Sequence, residues 1–368
     1  MYSGNTPSRL NKEHFNGAIN WISSGELKEH YIADTKEKIS DEAAKTLKML
    51  PIGTFVIAIY GLEADGVRGT GSITKTESTI SQACMAFTSK GKVQNEFLYS
   101  WYKKHGNVIG IRYAQGTKQQ NLSYDIIEKF KIAYPTFQEQ EKLNKFISLL
   151  DERIATQNKI IEDLKKLKSA IIDYAINSLD TDFGKFGSLY EMAGEGGTPT
   201  TSNASFYDNG KIPFIKIDDL KQKYLVENND FITELGLQKS SAWLVPTRSI
   251  LFSNGATIGE ITITTYPVCT KQGILGIVPK QSIDVEFLYY FMSSSYFKKA
   301  VSRIVTEGTM KTAYLKDINN ILCPIPTKEK QQEIVKMPSA LNSKIDIEQS
   351  ILKLFITQKQ HLLRQMFI

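Results

Sequence analysis

The chain has 368 residues, 41% of them hydrophobic, and 45 Lys and Arg against 39 Asp and Glu give a net charge of +6. That length allows two or three domains, each large enough to bury a core, and the balanced charge, with no basic block or arm, gives only weak support to nucleic-acid binding. No run of 18 apolar residues and no signal-peptide pattern is present, so the sequence reads as a soluble, cytoplasmic protein with no membrane partner. Cys84, Cys269 and Cys323 lie far apart with no CxxC, as expected of reduced core thiols.

The chain says nearly the same thing twice, 191 to 193 residues apart. The first copy opens on Gly4-Asn5-Thr6-Pro7 and continues through Ile19 to Leu27 (INWISSGEL). A proline turn at Pro51 then leads into a buried-strand run from Phe55 to Tyr60, followed by a glycine-bearing loop and a Thr/Ile strand from Arg68 to Thr74. Next come Ser81-Gln82-Ala83 and an aromatic-rich helix over about 95–105, whose Phe97, Leu98, Trp101 and Tyr102 have core-like spacing. Gly116-Thr117, Asp125-Ile126 and Pro135-Thr136 lead into a long amphipathic helix over about 148–178.

The second copy has an opening strand at Phe186–Ala193, then Gly196-Gly197-Thr198-Pro199 and Ile212 to Leu220 (IPFIKIDDL). Its strand run is Ser249 to Ser253 after Pro246, its glycine loop and Thr strand Ala256 to Thr262, and its small polar turn Lys271-Gln272-Gly273. A helix over about 284–300 carries Phe287, Leu288, Tyr290 and Phe291, and Gly308-Thr309, Asp317-Ile318 and Pro326-Thr327 complete the match. The first copy starts at Met1-Tyr2-Ser3 directly before Gly4, so an opening strand of about ten residues is expected to be missing from it, leaving an exposed edge.

Such a period is far longer than a solenoid unit, so each copy is a globular domain with its own helix. From Ile147 the seam runs Leu150, Ile154, Gln157, Ile161, Leu164, Lys168, Ile171 and Ala175, alternating steps of three and four. The second runs Leu341, Ile345, Glu348, Leu352, Phe355, Lys359, Leu362 and Met366, with polar residues on the same two rungs. A first helix on the order of 45 Å long carries the second domain to its far end, so the second helix reaches the first only by running back. The expected pairing is antiparallel, with Gln157 opposite Lys359, Lys168 opposite Glu348, Ile161 opposite Phe355, and Leu150 opposite Met366. Pro338 is expected to end a short helix over about 327–337 and to start or bend the long one.

These signals give an α+β chain: two tandem, pseudo-two-fold-related mixed α/β domains separated by an antiparallel coiled coil of two long helices. The boundaries are 1–134, 135–180 for the first helical spacer, 181–325, and 326–368 for the second spacer. No catalytic constellation stands out. Ser72 occupies the place of a Walker lysine in the glycine loop, and His14, His30, His105 and His361 are scattered without ligand spacing. The chain is therefore not expected to be an enzyme by itself, and no metal site is expected in it.

The duplicated order of Gly-Thr-Pro, an Ile-aromatic strand, a glycine turn before Ile-Thr, Gln before a small residue, Gly-Thr, Pro-Thr and a coiled-coil helix resembles the specificity subunit of type I restriction–modification systems. The resemblance covers nearly the whole chain. It implies that each globular copy is a target recognition domain reading one half of a bipartite double-stranded DNA target. It also implies that the helices space the halves and dock two modification (methyltransferase) subunits, to which restriction subunits can be added. S-adenosylmethionine, ATP and Mg would then act in those partners, with no cofactor in this chain.

Base reading needs amide and guanidinium groups, and Lys, Ser and Thr hold phosphates. The candidate DNA contacts are therefore Arg68, Lys75, Lys118, Gln119, Gln120 and Asn121 in the first copy, and Asn254, Thr257, Lys271, Lys311 and Thr312 in the second. Gln82 and Gln272 recur, but a glutamine beside a core strand can equally bond buried backbone. Two rival readings stay open: a coiled-coil scaffold that binds no DNA, and the specificity half of a split or fused restriction–methyltransferase.

Overall fold

The computed structural model describes the chain apart from Ala256, residues 306–310 and Ile368. The glycine-loop reading at Ala256 and the Gly308-Thr309 repeat lie outside the described residues. The fold divides into two units, one of residues 1–158 with 351–368, the other of residues 159–350.

In unit 1 the strands are β1 (Tyr2–Ser3), β2 (Ile19–Ile22), β3 (Tyr31–Ile32), β4 (Lys38–Ile39), β5 (Phe55–Ala58), β6 (Gly71–Thr74), β7 (Ser78–Ile80) and β8 (Cys84–Phe87). They form a five-stranded sheet, β1-β8-β5-β6-β3, and a three-stranded one, β4-β2-β7. The Phe-Val-Ile-Ala run of β5 is buried along its whole length between β8 and β6, as a continuous apolar run predicts. The helix Asn95–Tyr113 packs Phe97, Trp101, Tyr102 and Ile109 onto this sheet.

Unit 2 repeats the plan with β9 (Phe183–Lys185), β10 (Tyr190–Glu195), β11 (Ile212–Ile215), β12 (Tyr224–Leu225), β13 (Phe231–Ile232), β14 (Ile250–Ser253), β15 (Ile261–Thr264), β16 (Cys269–Thr270), β17 (Ile274–Pro279) and β18 (Leu322–Pro324). Its sheets are β10-β17-β14-β15-β12 and β13-β11-β16, strand for strand the order of unit 1, with β18-β9 added. The aromatic helix is here two helices, Val285–Ser293 and Ser295–Ile304. Ser294 makes the break, because its extended backbone ends the first helix while its hydroxyl accepts the Phe297 N–H at 3.2 Å to cap the second.

The edge strand expected to be missing from the first copy is present in shortened form: Tyr2 and Ser3 pair with Ala86 and Met85. β10 covers the corresponding edge of β17 from Tyr190 to Glu195.

The long helices are Phe137–Asn177 and Lys328–Met366. The first therefore begins eleven residues before the expected start, at a capping box in which the Thr136 N–H donates to Glu139 at 3.0 Å and the Glu139 N–H to the Thr136 hydroxyl at 3.4 Å. Pro338 neither starts nor divides the second helix. Its neighbours hold the segment helical despite a cost of about 3 kcal/mol for an interior proline: Ile334 and Val335 pack on the unit 2 core, and the Ser339 hydroxyl donates to Glu286 at 2.7 Å.

Within each unit the two helices run antiparallel. In unit 1 Leu143 and Met366 pack against the same core, Arg153 stacks over Phe355 at 4.4 Å, and Lys359 pairs with Asp151. In unit 2 Lys168 donates to Asn342 at 2.9 Å, while Ile172 and Ile176 share a core with Ile334 and Val335. Lys359 meets Asp151 and Lys168 meets Asn342, each six residues before the expected Gln157 and Glu348, which are themselves buried and engaged. Glu348 carries an ion pair with Lys344 on its own helix at 2.5 Å. The named seam positions, from Leu150 to Ile171 and from Leu341 to Leu362, are all buried or half-buried.

A glutamine fixes each long helix to its domain. Gln140, fully buried, accepts the Gln94 N–H at 2.8 Å and donates to the carbonyls of Lys92 and Pro135 at 2.9 and 3.0 Å. Gln331, 191 residues on, accepts the Asp284 N–H at 2.7 Å and donates to those of Ser282 and Pro326 at 3.1 and 2.9 Å.

Candidate nucleic-acid interface

One end of each main sheet gathers the loops that carry the repeated small polar motifs. In unit 1 the chain leaving β1 is tied there by the Gly4 N–H on Cys84 O and the Asn5 N–H on Ile80 O, both 3.1 Å. Glycine is required at this approach: a Cβ on Gly4 would lie 2.2 Å from Ser81 O, and one on Gly196 2.2 Å from the Thr270 hydroxyl. The β5–β6 loop and the loop over 114–121 meet beside it, where the Leu62 N–H donates to Gln120 O at 3.0 Å and the Gln120 N–H to the Glu63 carboxylate at 2.7 Å. Backbone N–H groups, led by that of Gln120 and followed by its own, hold the Glu63 carboxyl below its ordinary range.

Arg68 and Gln120 are joined on this face, with an Arg68 Nη2 to Gln120 Oε1 hydrogen bond of 2.7 Å. The Arg68 stem lies over Gly110, where a Cβ would come within 2.5 Å of it, so the guanidinium is aimed by the helix beneath. Asn121 braces the loop: its side-chain oxygen accepts the Gly61 N–H at 3.4 Å and its backbone pairs with Gln115. Lys118 and Gln119 stand exposed at the loop tip. Lys75 does not join them; it follows β6 at the opposite end from Arg68, with its ammonium over the Tyr31 ring at 4.5 Å.

In unit 2 the same face is built from the ends of β10, β14 and β17. The Gly196 N–H donates to Ile274 O at 2.8 Å and the Gln272 N–H to the Thr198 hydroxyl at 3.2 Å. Asn254 is a brace: it is buried, its N–H donates to Gly273 O at 3.0 Å, and its side-chain amide reaches Ala313 O at 3.2 Å. Thr257, Lys271 and Lys311 are exposed around it, and Thr312 is half-buried next to Ala313. The recurring Gln82 and Gln272 are both exposed at matching points of the two faces, which removes the buried-backbone reading for them and adds two amides the candidate set lacked. The repeat of Gln before a small residue was their signal.

Each face thus presents amide, ammonium and hydroxyl groups on loops braced from below, the groups that hydrogen-bond base edges and phosphate oxygens. The three cysteines are buried, and burial pushes the Cys84 thiol up to about 12 and that of Cys269 up to about 11, so neither is a nucleophilic thiolate at neutral pH. None of the described helices is long and apolar enough to cross a membrane.

The family profile for the type I restriction modification DNA specificity domain matches residues 2–166 and again residues 180–354. The chain belongs to this family. It is a type I specificity subunit with two tandem target recognition domains, and its task is DNA target recognition.

Among similar proteins, the MjaIX type I restriction enzyme specificity subunit of Methanocaldococcus jannaschii is 24% identical over 90% of this chain and 83% of its own length. The EcoR124I/EcoR124II specificity subunit of Escherichia coli is 24% identical over 66% of this chain and 62% of its own length. The fold is shared with a chain solved in a study of complex assembly and conformational transition of a type I system, with TM-score 0.64 at 15% identity over 94% of this chain and 90% of that one. It is shared also with the specificity subunit from M. genitalium, with TM-score 0.54 at 16% identity over 100% and 93% of the two chains.

Proposed function

We propose that each unit of this specificity subunit reads one half of a bipartite double-stranded DNA target through its strand-end face, and that the paired helices fix the gap and dock two modification (methyltransferase) subunits. The observation that carries this reading is the recurrence of one braced loop cluster in both units. Arg68 with Gln120, and the exposed Gln119, Gln82 and Gln272, supply bidentate amide and guanidinium groups for base edges. Lys118, Thr257, Lys271, Lys311 and Thr312 supply phosphate contacts, while Asn121 and Asn254 hold the loops that present them. Lys75 lies outside this set. The chain acts without catalysis of its own, in the cytoplasm. S-adenosylmethionine, ATP and Mg serve the partner subunits, and restriction subunits join the modification core.

The test is a base-resolution methylation map of a methylation-free host that expresses this chain with its cognate methyltransferase subunit. The expected result is modified bases in a split motif with a fixed gap. Methylation confined to one contiguous half-motif, or none despite assembly with the methyltransferase, would overturn the two-headed reading.

A further inference from the structure

The helix Asn95–Tyr113 of unit 1 carries two glycines one turn apart, Gly106 and Gly110, although glycine is among the poorest helix formers. The loop between β5 and β6 explains them. A Cβ on Gly106 would lie 3.0 Å from Gly69 Cα, and one on Gly69, whose φ of 72° is left-handed, 2.6 Å from Asn107 N. The loop backbone therefore lies directly on the helix at Gly106. One turn further the stem of Arg68 crosses the helix at Gly110, where a Cβ would stand 2.5 Å from Arg68 Cγ and 3.0 Å from its Cδ.

Unit 2 carries neither half of this arrangement. β15 pairs with β14 as β6 does with β5, Ile261 opposite Phe252 and Gly71 opposite Ile57. The left-handed Gly259 stands at the place of Gly69, so Ile258 takes the place of Arg68. The corresponding helices, Val285–Ser293 and Ser295–Ile304, contain no glycine, and Ile258 packs against the unit 2 core. An arginine in the loop thus goes with a glycine under its stem, and an isoleucine goes with none.

The arginine is held but not used up. Its Nε is buried without a hydrogen-bond partner among the described residues, and its Nη2 donates to Gln120 Oε1 at 2.7 Å. The Nη1 hydrogens and the second one on Nη2 are left for a ligand. Adjacent donors of that kind match the paired O6 and N7 acceptors that guanine alone presents in the major groove.

We infer that Arg68 reads a guanine in the half-site of unit 1, and that Gly110 is the positioning residue that aims it, by admitting the arginine stem across the helix. The inference rests on the DNA-reading role proposed above for this face. Ile258 offers no donor, so the two units read differently at this point.

The test maps methylation at base resolution in a methylation-free host that expresses the full chain with its cognate methyltransferase subunit, for wild type, Gly110→Ala, Arg68→Ile and the double variant. The wild-type motif should hold a G·C pair that Gly110→Ala relaxes, the ratio of methylation at cognate sites to that at sites changed in this pair falling about tenfold or more. Every other position of both halves should be kept. Arg68→Ile should relax the same pair. The double variant should be no more relaxed than Arg68→Ile, because no arginine stem is left to displace, whereas a glycine needed only by the helix would add its own loss. Should Gly110→Ala fail to fold, Gln120→Leu decides, since it frees the guanidinium without touching the helix and should relax the same pair. A motif that the deciding variant leaves unchanged, relaxation at several positions or at an A·T pair, or an additive double variant would overturn this inference and leave the two-headed reading in place. A wild-type map without a split motif would overturn both.

Discussion

Replacing Gln331 by Leu keeps the volume of a buried side chain and removes three hydrogen bonds at once: the acceptor for the Asp284 N–H at 2.7 Å and the donors to Ser282 and Pro326 carbonyls at 3.1 and 2.9 Å. Each bond contributes about 1 kcal/mol net, and a buried N–H left without a partner costs about 1–3 kcal/mol. Ser282 is exposed, so water can replace one of the lost donors there. The expected loss is therefore about 2–4 kcal/mol from unit 2. Gln140→Leu should cost unit 1 a similar amount, because its three bonds repeat those of Gln331 at 2.8, 2.9 and 3.0 Å.

Tryptophan fluorescence separates the two units during urea unfolding, with Trp243 in unit 2 and Trp21 and Trp101 in unit 1. Gln331→Leu should lower the urea midpoint seen by Trp243 and Gln140→Leu the midpoint seen by the other two. A loss below about 1 kcal/mol in either variant would refute the argument that these glutamines fasten helix to domain.

Lys223, with its side chain 4% exposed, pairs with Glu286 at 2.5 Å, and Lys223→Met should cost about 2–3 kcal/mol by denaturation, discounted from a fully buried pair because Glu286 is 28% exposed. Burial raises the Glu286 pKa, but hydrogen bonds from Lys223, Tyr224 and Ser339 outweigh it and leave it lowered. Its contribution is thus present above the ordinary Glu value and lost as pH falls through the folded one, so the wild-type advantage over Lys223→Met should shrink below about pH 4.5 in acid titrations of stability. Lys118→Glu should weaken binding to all DNA sequences and reduce the magnitude of the salt slope, by about one for the lost phosphate contact, in fluorescence anisotropy. An unchanged affinity removes it from the face. Arg68→Ala should relax the methylated motif at one position, at about 1–3 kcal/mol of discrimination, and a motif unchanged at every base would show that Arg68 does not read bases.

The duplication and the helix seams were legible because they are written as periodic apolar positions. The antiparallel direction of the helix pairing was legible. A seam fixes which residues face inward, but the long Lys359 side chain reaches Asp151, which flanks the seam, and that choice is made by side-chain geometry that no periodicity encodes. The start of the first long helix is written in Thr136 and Glu139, a capping pair three residues apart that stands ahead of the apolar repeat. Asn254 was read as a base contact from its residue type, but burial commits its amide to Ala313. The choice between a reading amide and a bracing amide depends on which carbonyl lies within 3 Å, and that is a tertiary property.

A duplicated sequence invites the picture of two self-sufficient beads, and the cores contradict it. The unit 1 core takes Leu363, Met366 and Phe367 from the end of the second repeat, and the unit 2 core takes Ile172 and Ile176 from the end of the first helix. Phe367 is fully buried, with its ring 5.1 Å from that of Phe97, and Lys104 donates to the Arg364 carbonyl at 2.9 Å and to that of Phe367. Phe367→Ala, nearly 270 residues away in sequence from the core it fills, should therefore destabilise unit 1 by about 3–4 kcal/mol, as large-to-small core changes do, and leave the Trp243 transition of unit 2 in place. The reverse outcome, a loss reported by Trp243 alone, would mean that each repeat folds on its own helix. The exchange of helix ends makes each recognition unit depend on both repeats. One domain can then be varied in its loops without freeing either unit from the helices that hold them in one chain.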